Sequence, residues 1–239
     1  MDRPILFSAA MVRALLDGRK GQTRRIVKPQ PSHIVTMVGA DDRPTGEYGL
    51  VLDAECPRVI QQFTRCPYGV PGDRLWVRES GKIARDAYDV DPALGKDLWR
   101  DVGWVHAADG ALVQRETLST ALAPLSQWIG DCALIGRPSI HMPRWASRLT
   151  LTITDVRVER LQDISEADAR AEGITAYPDG FHWEPNPEPS FCRLIGRTAK
   201  LAFLGLWEEI NGRESVDANP WVWVLSFDVE RRNVDEARP

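Results

Sequence analysis

The chain has 239 residues, 43% hydrophobic and 27% charged, with a formal net charge of -4. That length allows one or two domains with a real core, and the acidic balance argues against a bulk electrostatic binder of duplex DNA. No apolar run approaches the roughly 20 residues needed to cross a bilayer. The opening Met1-Asp2-Arg3-Pro4-Ile5-Leu6-Phe7 lacks the basic head, apolar stretch and cleavage site of a signal peptide, so a cytoplasmic protein with no membrane partner is expected. Cys56, Cys66, Cys132 and Cys192 lack the close Cys or His pairs of a zinc site and read as reduced structural thiols. Nothing in the pattern requires a metal shared by Cys56, Cys66 and His141, and neither metal nor cofactor is expected.

In chain order, Ser8 caps a short helix with Met11, Val12, Leu15 and Leu16 on one face, and Asp17-Gly18 stops it. A turn over Lys20 to Arg25 enters an extended stretch through Val27. Residues 29–65 are rich in Pro, Gly and Asp and read as an insertion or long loop. Pro71-Gly72-Asp73 is a tight turn before a half-buried strand, Arg74 to Glu79. Residues 82–136 read as irregular, with strand-like pieces near 104–106 and 111–113. Pro138 and Pro143 bracket a constrained loop. A strand follows, with Leu149, Leu151 and Ile153 on one face and a break at Asp155. Asp163 to Glu172 reads as a helix with Ser165 as its N-cap, ended by Gly173. Residues 176–196 form a further loop, holding His182 and Trp183. Thr198 starts a second helix with a buried stripe of Leu201, Leu204, Leu206, Trp207 and Ile210. The last strand places Trp221, Trp223, Leu225, Phe227 and Val229 on one face. Short strands with helices at the ends point to an α+β chain built on a small barrel.

The distribution of charge is uneven. Residues 1–30 hold Arg3, Arg13, Arg19, Lys20, Arg24, Arg25 and Lys28 against Asp2 and Asp17. Residues 137–160 hold Arg137, Arg144, Arg148, Arg157 and Arg160 against Asp155 and Glu159. Two basic segments on an acidic body suggest a local anion site or a solvated basic face. The turn Gly18-Arg19-Lys20-Gly21-Gln22-Thr23-Arg24-Arg25 is the more informative, because such a turn can aim backbone N–H groups and cations at an anion. It is not a P-loop, since the glycine spacing and the adjacent Lys-Ser/Thr pair are missing.

This run resembles the G-x-K-x-x-T-x-R signature of the ASCH family of PUA-like domains. Pro71-Gly72-Asp73-Arg74-Leu75 resembles the family's G-D-x-L strand start, Leu161 to Gly173 its acidic helix, and Trp221 to Phe227 its closing strand. The chain resembles the larger phage-associated members most, leaving about half its length as insertions. The resemblance implies a single α+β domain over 1–239: a small mixed PUA-like β-barrel flanked by helices, with insertions at about 29–65, 82–136 and 176–196. Some small bacterial members are amidohydrolases that deacylate N4-acetylcytidine with a lysine, a threonine and a glutamate. The resemblance carries these onto Lys20, Thr23 and Glu172.

On chemical grounds, Thr23 would attack an amide carbonyl and a neutral Lys20 would take its proton. Neighbouring arginines would lower the lysine pKa, and Glu172 would orient the lysine or hold the exocyclic nitrogen. Backbone N–H groups of Gly21 or Gln22 would face the oxyanion. Arg19, Arg24, Arg25, Glu79, His141 and Arg144 are candidate substrate contacts, with His141 stacking on or bonding to a base. Tryptophans 207, 221 and 223 read as core. The expected function is hydrolysis of an N4-acylated cytosine nucleoside or related base. The alternatives are a non-catalytic RNA-binding module, in which Lys20, Thr23 and the arginines only grip phosphate, and an RNA-cleaving ASCH enzyme. The partner is a modified nucleoside or nucleic acid; the sequence specifies no protein partner.

Overall fold

The computed structural model describes residues 1–38, 44–52, 55, 59–91, 96–114, 133–177, 180–182 and 196–236. Strand β1 (Asp2–Leu6), helix α1 (Ala9–Leu16) and β2 (Gln22–Ile26) are followed by β3 (His33–Val38), β4 (Pro44–Val51) and β5 (Gln62–Arg65). Next come β6 (Arg74–Arg78), β7 (Gly81–Asp91), β8 (Lys96–His106), β9 (Leu112–Gln114) and β10 (Ala133–Arg137). The chain continues through β11 (Thr150–Arg160), α2 (Glu166–Ala171), β12 (Thr175–Tyr177), β13 (Gly180–His182), α3 (Ala199–Asn211), α4 (Arg213–Asp217) and β14 (Trp221–Glu230).

The class is α+β, dominated by sheet. Five strands form one sheet in the order β1-β6-β11-β14-β2, so β1 and β2 are open edges and no closed barrel is present among the described residues. The segments expected to be loops contain most of the other strands. Residues 29–65 fold into the antiparallel sheet β3-β4-β5, and residues 82–136 supply the four-stranded sheet β10-β7-β8-β9. Both segments lack clean alternation because their strands are irregular: register shifts interrupt β3 against β4 and, twice, β7 against β8. Part of the loop expected at 176–196 is likewise a hairpin, β12 with β13. Trp183, Cys56, Cys132 and Cys192 lie outside the described residues, while Cys66 is buried. No described group of His, Cys, Asp or Glu could hold a metal ion, and no described helix is long and apolar enough to cross a membrane.

The chain divides into two compact units. The first comprises Met1, Ala14–Arg74 and Thr152–Val229. Its core joins Leu161, Ile164 and Ala169 around α2 to Ala202, Phe203 and Leu206 of α3 and to Val222 and Val224 of β14. Helix α2 starts where expected, since Ser165 accepts a hydrogen bond from the Asp168 N–H. Thr198 caps α3 through the Leu201 N–H, but the buried face is Ala199, Ala202, Phe203, Leu206 and Trp207. Leu201 and Ile210, expected in the stripe, are 52% and 55% exposed. The core needs small alanines at the helix contact, and hydropathy alone ranks leucine above them. Strand β14 is buried at Val222 and Val224 as well as at Trp223, Leu225 and Phe227, so it is covered on both faces rather than one.

The second unit comprises Asp2–Arg13, Leu75–Leu151 and Glu230–Pro239. Ile83, Trp104, Met142 and Ala146 form its apolar cluster. Pro138 and Pro143 each precede a single 3-10 turn, Ser139–His141 and Arg144–Ala146. Asn233 holds the end of the second turn by donating to the carbonyls of Arg144, Trp145 and Ser147.

Candidate functional site

The expected lysine, threonine and glutamate all belong to the first unit, and helix caps decide their positions. Gly18 takes a positive φ of 71°, which turns the chain back under α1. The N–H groups of Arg19 and Lys20 then donate to the Ala14 carbonyl, that of Gly18 to Leu15, and that of Gly21 to Ala171. The turn therefore spends these donors on the orphan carbonyls of two helices. It does not aim them at an anion, and Gly21 is unavailable for an oxyanion. At the other helix, Glu172 is the C-cap residue of α2, followed by Gly173 at φ 107°.

These two turns bring Lys20 onto Glu172 across 152 residues of chain: Lys20 Nζ lies 2.6 Å from Glu172 Oε2 and 3.0 Å from its carbonyl oxygen. Both side chains are buried, at 1% and 4% exposure. The other carboxylate oxygen, Oε1, accepts from Arg24 Nη1 at 3.1 Å. Burial drives Lys20 below its ordinary 10.5, because the ammonium loses its hydration; Glu172 opposes this, while the charges of Arg25 and Arg24 reinforce it. The downward push prevails.

Strand β2 divides the remaining residues by its period of two. Thr23 and Arg25 share one face, Gln22 and Arg24 the other. Arg25 donates from Nη1 to Thr23 Oγ1 at 2.8 Å and to the Arg24 carbonyl at 3.0 Å. Thr23 is buried. Arg25 connects the two groups, since its charge bears on Lys20 and that of Glu172 on Arg25. Arg19 is held by Asp17 at 2.9 Å and by the Gly173 carbonyl at 3.2 Å. Arg24, expected as a substrate contact, is turned inward onto Glu159, Gln22, Asp168 and Glu172 with no exposed side-chain surface. The side chains of Gln22, Glu159 and Asp168 are not among the site residues expected from the sequence. The signal for Gln22 was its place one residue from Thr23; the two carboxylates gave none, because they meet Arg24 only through the fold.

Glu79, His141 and Arg144 belong to the second unit. Glu79 is buried and binds Arg148 through both oxygens, at 3.0 and 3.1 Å. His106 Nδ1 lies 2.8 Å from Glu79 Oε1, off the line of an N–H donor, and Nε2 has no partner among the described residues. Arg148 continues to Asp109 at 2.7 Å. Burial would raise the Glu79 pKa, but His106 and Arg148 hold it below its ordinary 4.5. Arg144 is engaged by Asp2 and Asp235 at 2.7 and 2.9 Å. His141 is exposed at the end of its 3-10 turn.

The first unit thus offers a lysine pressed toward its neutral form beside a carboxylate, and a threonine hydroxyl held by an arginine. That set can support nucleophilic attack with proton transfer. No protein-family model, curated protein or solved structure matches the chain.

Proposed function

We propose that the protein is an amidohydrolase acting on an N4-acylated cytosine nucleoside or a related modified base, on an ASCH-type, PUA-like framework. The observation that carries this reading is the buried Lys20–Glu172 contact, linked through the charge of Arg25 to a threonine whose Oγ1 accepts from that arginine. Lys20, neutral for part of the time, takes the proton of Thr23 as Oγ1 attacks the acyl carbon. Arg25 stabilises negative charge growing on that oxygen. The tetrahedral oxyanion collapses, the C–N bond breaks, and Lys20 returns the proton to the leaving exocyclic amine. A water deprotonated by Lys20 then cleaves the Thr23 ester, releasing the carboxylic acid and the free hydroxyl. Glu172 fixes the lysine throughout.

The phosphate-gripping alternative needs cations that face outward. Lys20 and Arg24 are buried against carboxylates, and Arg19 is paired with Asp17, which favours chemistry over the holding of a polyanion. The test is ultraviolet-monitored hydrolysis of N4-acetylcytidine by wild type, Lys20→Ala, Thr23→Ala and Glu172→Ala. Turnover by wild type that vanishes in the first two variants supports the reading. A folded wild type with no turnover on N4-acetylcytidine or longer N4-acyl cytidines overturns it and moves the weight to RNA binding or cleavage.

A further inference from the structure

Arg24 lies between Thr23 and Arg25, yet it faces a different set of groups. Its Nε and Nη2 donate to Glu159 Oε1 at 3.0 and 2.6 Å, and Nη1 donates to Gln22 Oε1 at 3.0 Å. Asp168 Oδ2 stands 3.5 Å from Nη2, and the guanidinium carbon sits 5.5 Å from the centre of the Phe203 ring. A planar fork held on this many sides has one position. Only one of its contacts leads to the candidate catalytic residues: Nη1 to Glu172 Oε1 at 3.1 Å, while Glu172 Oε2 receives Lys20.

Glu172 is therefore shared between two cations, and the share taken by one is lost to the other. We propose that Arg24 is a positioning residue that holds one oxygen of Glu172, so that the carboxylate orients Lys20 without fixing it as an ammonium. This rests on the amidohydrolase reading for its catalytic consequence, but not for its physical content. The charged groups around the pair are Glu172 and Asp168 from α2 and its cap, Glu159 and Arg157 from β11, and Arg25 from β2. Arg157 binds Asp168 at 2.9 Å and lies 3.4 Å from Glu159, so it occupies the same two carboxylates that hold Arg24. Glu172 also feels the charge of Arg25, but among the described residues it is Arg24 that donates an arginine hydrogen bond to its carboxylate. Without Arg24, a larger share of its negative charge would act on Lys20, and one of the two arginine charges that oppose protonation of Lys20 would be gone.

The experiment compares wild type, Arg24→Gln and Arg24→Lys in two measurements. The first follows Lys20 Cε against pH by NMR on protein labelled with carbon-13 lysine, with the signal assigned through Lys20→Arg. The second follows kcat and KM for N4-acetylcytidine across the same pH range. In Arg24→Gln, Lys20 should titrate about one pH unit higher, and the acid limb of kcat should move with it. KM should stay within about twofold, because Arg24 does not touch the substrate. Arg24→Lys should restore part of the shift. If Arg24→Gln does not fold, Arg24→Gln combined with Glu159→Gln removes a cation and its nearest anion together and is read by the same criteria. A Lys20 titration that does not move in the folded variant overturns the proposal, even if turnover falls. Absence of turnover in wild type overturns only the amidohydrolase reading, since the NMR titration needs no substrate.

Discussion

Each unit of this protein buries a cluster of charges, and the two clusters resolve the cost of burial in opposite ways. In the second unit, Glu79 lies against Arg148 and His106, and Arg148 is passed on to Asp109 at the surface. The carboxylate is held in its charged form, below 4.5. In the first unit, Lys20 meets half of a carboxylate whose other half belongs to Arg24, and burial presses it toward the neutral form. A buried ion pair that is fully matched fixes structure; one that is under-matched leaves a group near neutrality and available for proton transfer. Burial pushes both groups toward neutrality; the partners outweigh it at Glu79 and do not at Lys20.

The largest effect separates the clusters by chemistry. Lys20→Ala should lower turnover of N4-acetylcytidine by about 10³-fold, the scale of a lost general base, while circular dichroism shows the fold retained. The matched cluster should answer in stability. Glu79→Gln leaves Arg148 short of its buried partner, and urea unfolding should show a loss of about 3 kcal/mol. Equal and small stability losses in both variants would erase the contrast.

The pH dependence of unfolding sharpens it further. Glu79 is lowered in the folded chain, so its contribution is present above pH 4.5 and lost as pH falls through the folded value. Lys20 is lowered from 10.5, so the unfolded chain holds the extra proton in the window below 10.5, and stability rises with pH across it. Glu79→Gln should flatten the acid arm of the urea midpoint against pH, and Lys20→Met the alkaline arm. Either variant flattening both arms would mean that the assignment is wrong.

Smaller effects test the supports. Gly173→Ala should cost about 1–3 kcal/mol, because a φ of 107° strains any side-chain-bearing residue. The added Cβ itself meets only ordinary contacts, 3.4 Å to Ala14 and 3.7 Å to Lys20, so the loss is one of backbone conformation. Leu201→Ser, on the exposed side of α3, should change stability by less than about 0.5 kcal/mol, whereas a stripe that truly included Leu201 would lose several times that.

Local signals in the chain were reliable where they depend on near neighbours. Ser8, Ser165 and Thr198 begin helices as expected, because a cap is a contact over three residues. Leu149, Leu151 and Ile153 share a buried face because strand alternation is a property of the backbone; the alternation breaks at Asp155, where Thr154 and Asp155 are both exposed, and β11 continues to Arg160. The spacing of Lys20 and Thr23, with Glu172 before Gly173, was also readable, and the fold does bring Lys20 to Glu172.

Tertiary structure decided the rest. The sheets within 29–65 and 82–136 depend on strand pairing that hydropathy did not mark, and the five central strands leave an open sheet where a barrel was expected. The face of α3 was set by what it packs against, not by its leucines. Arg24 looks like Arg25 in the sequence, but strand alternation points it to carboxylates 135, 144 and 148 residues away, at Glu159, Asp168 and Glu172. The sequence by itself determined which groups are present and how each short segment bends. Only the fold decided which charges share a partner, because burial and Coulomb interaction act through space between residues that the chain order keeps far apart.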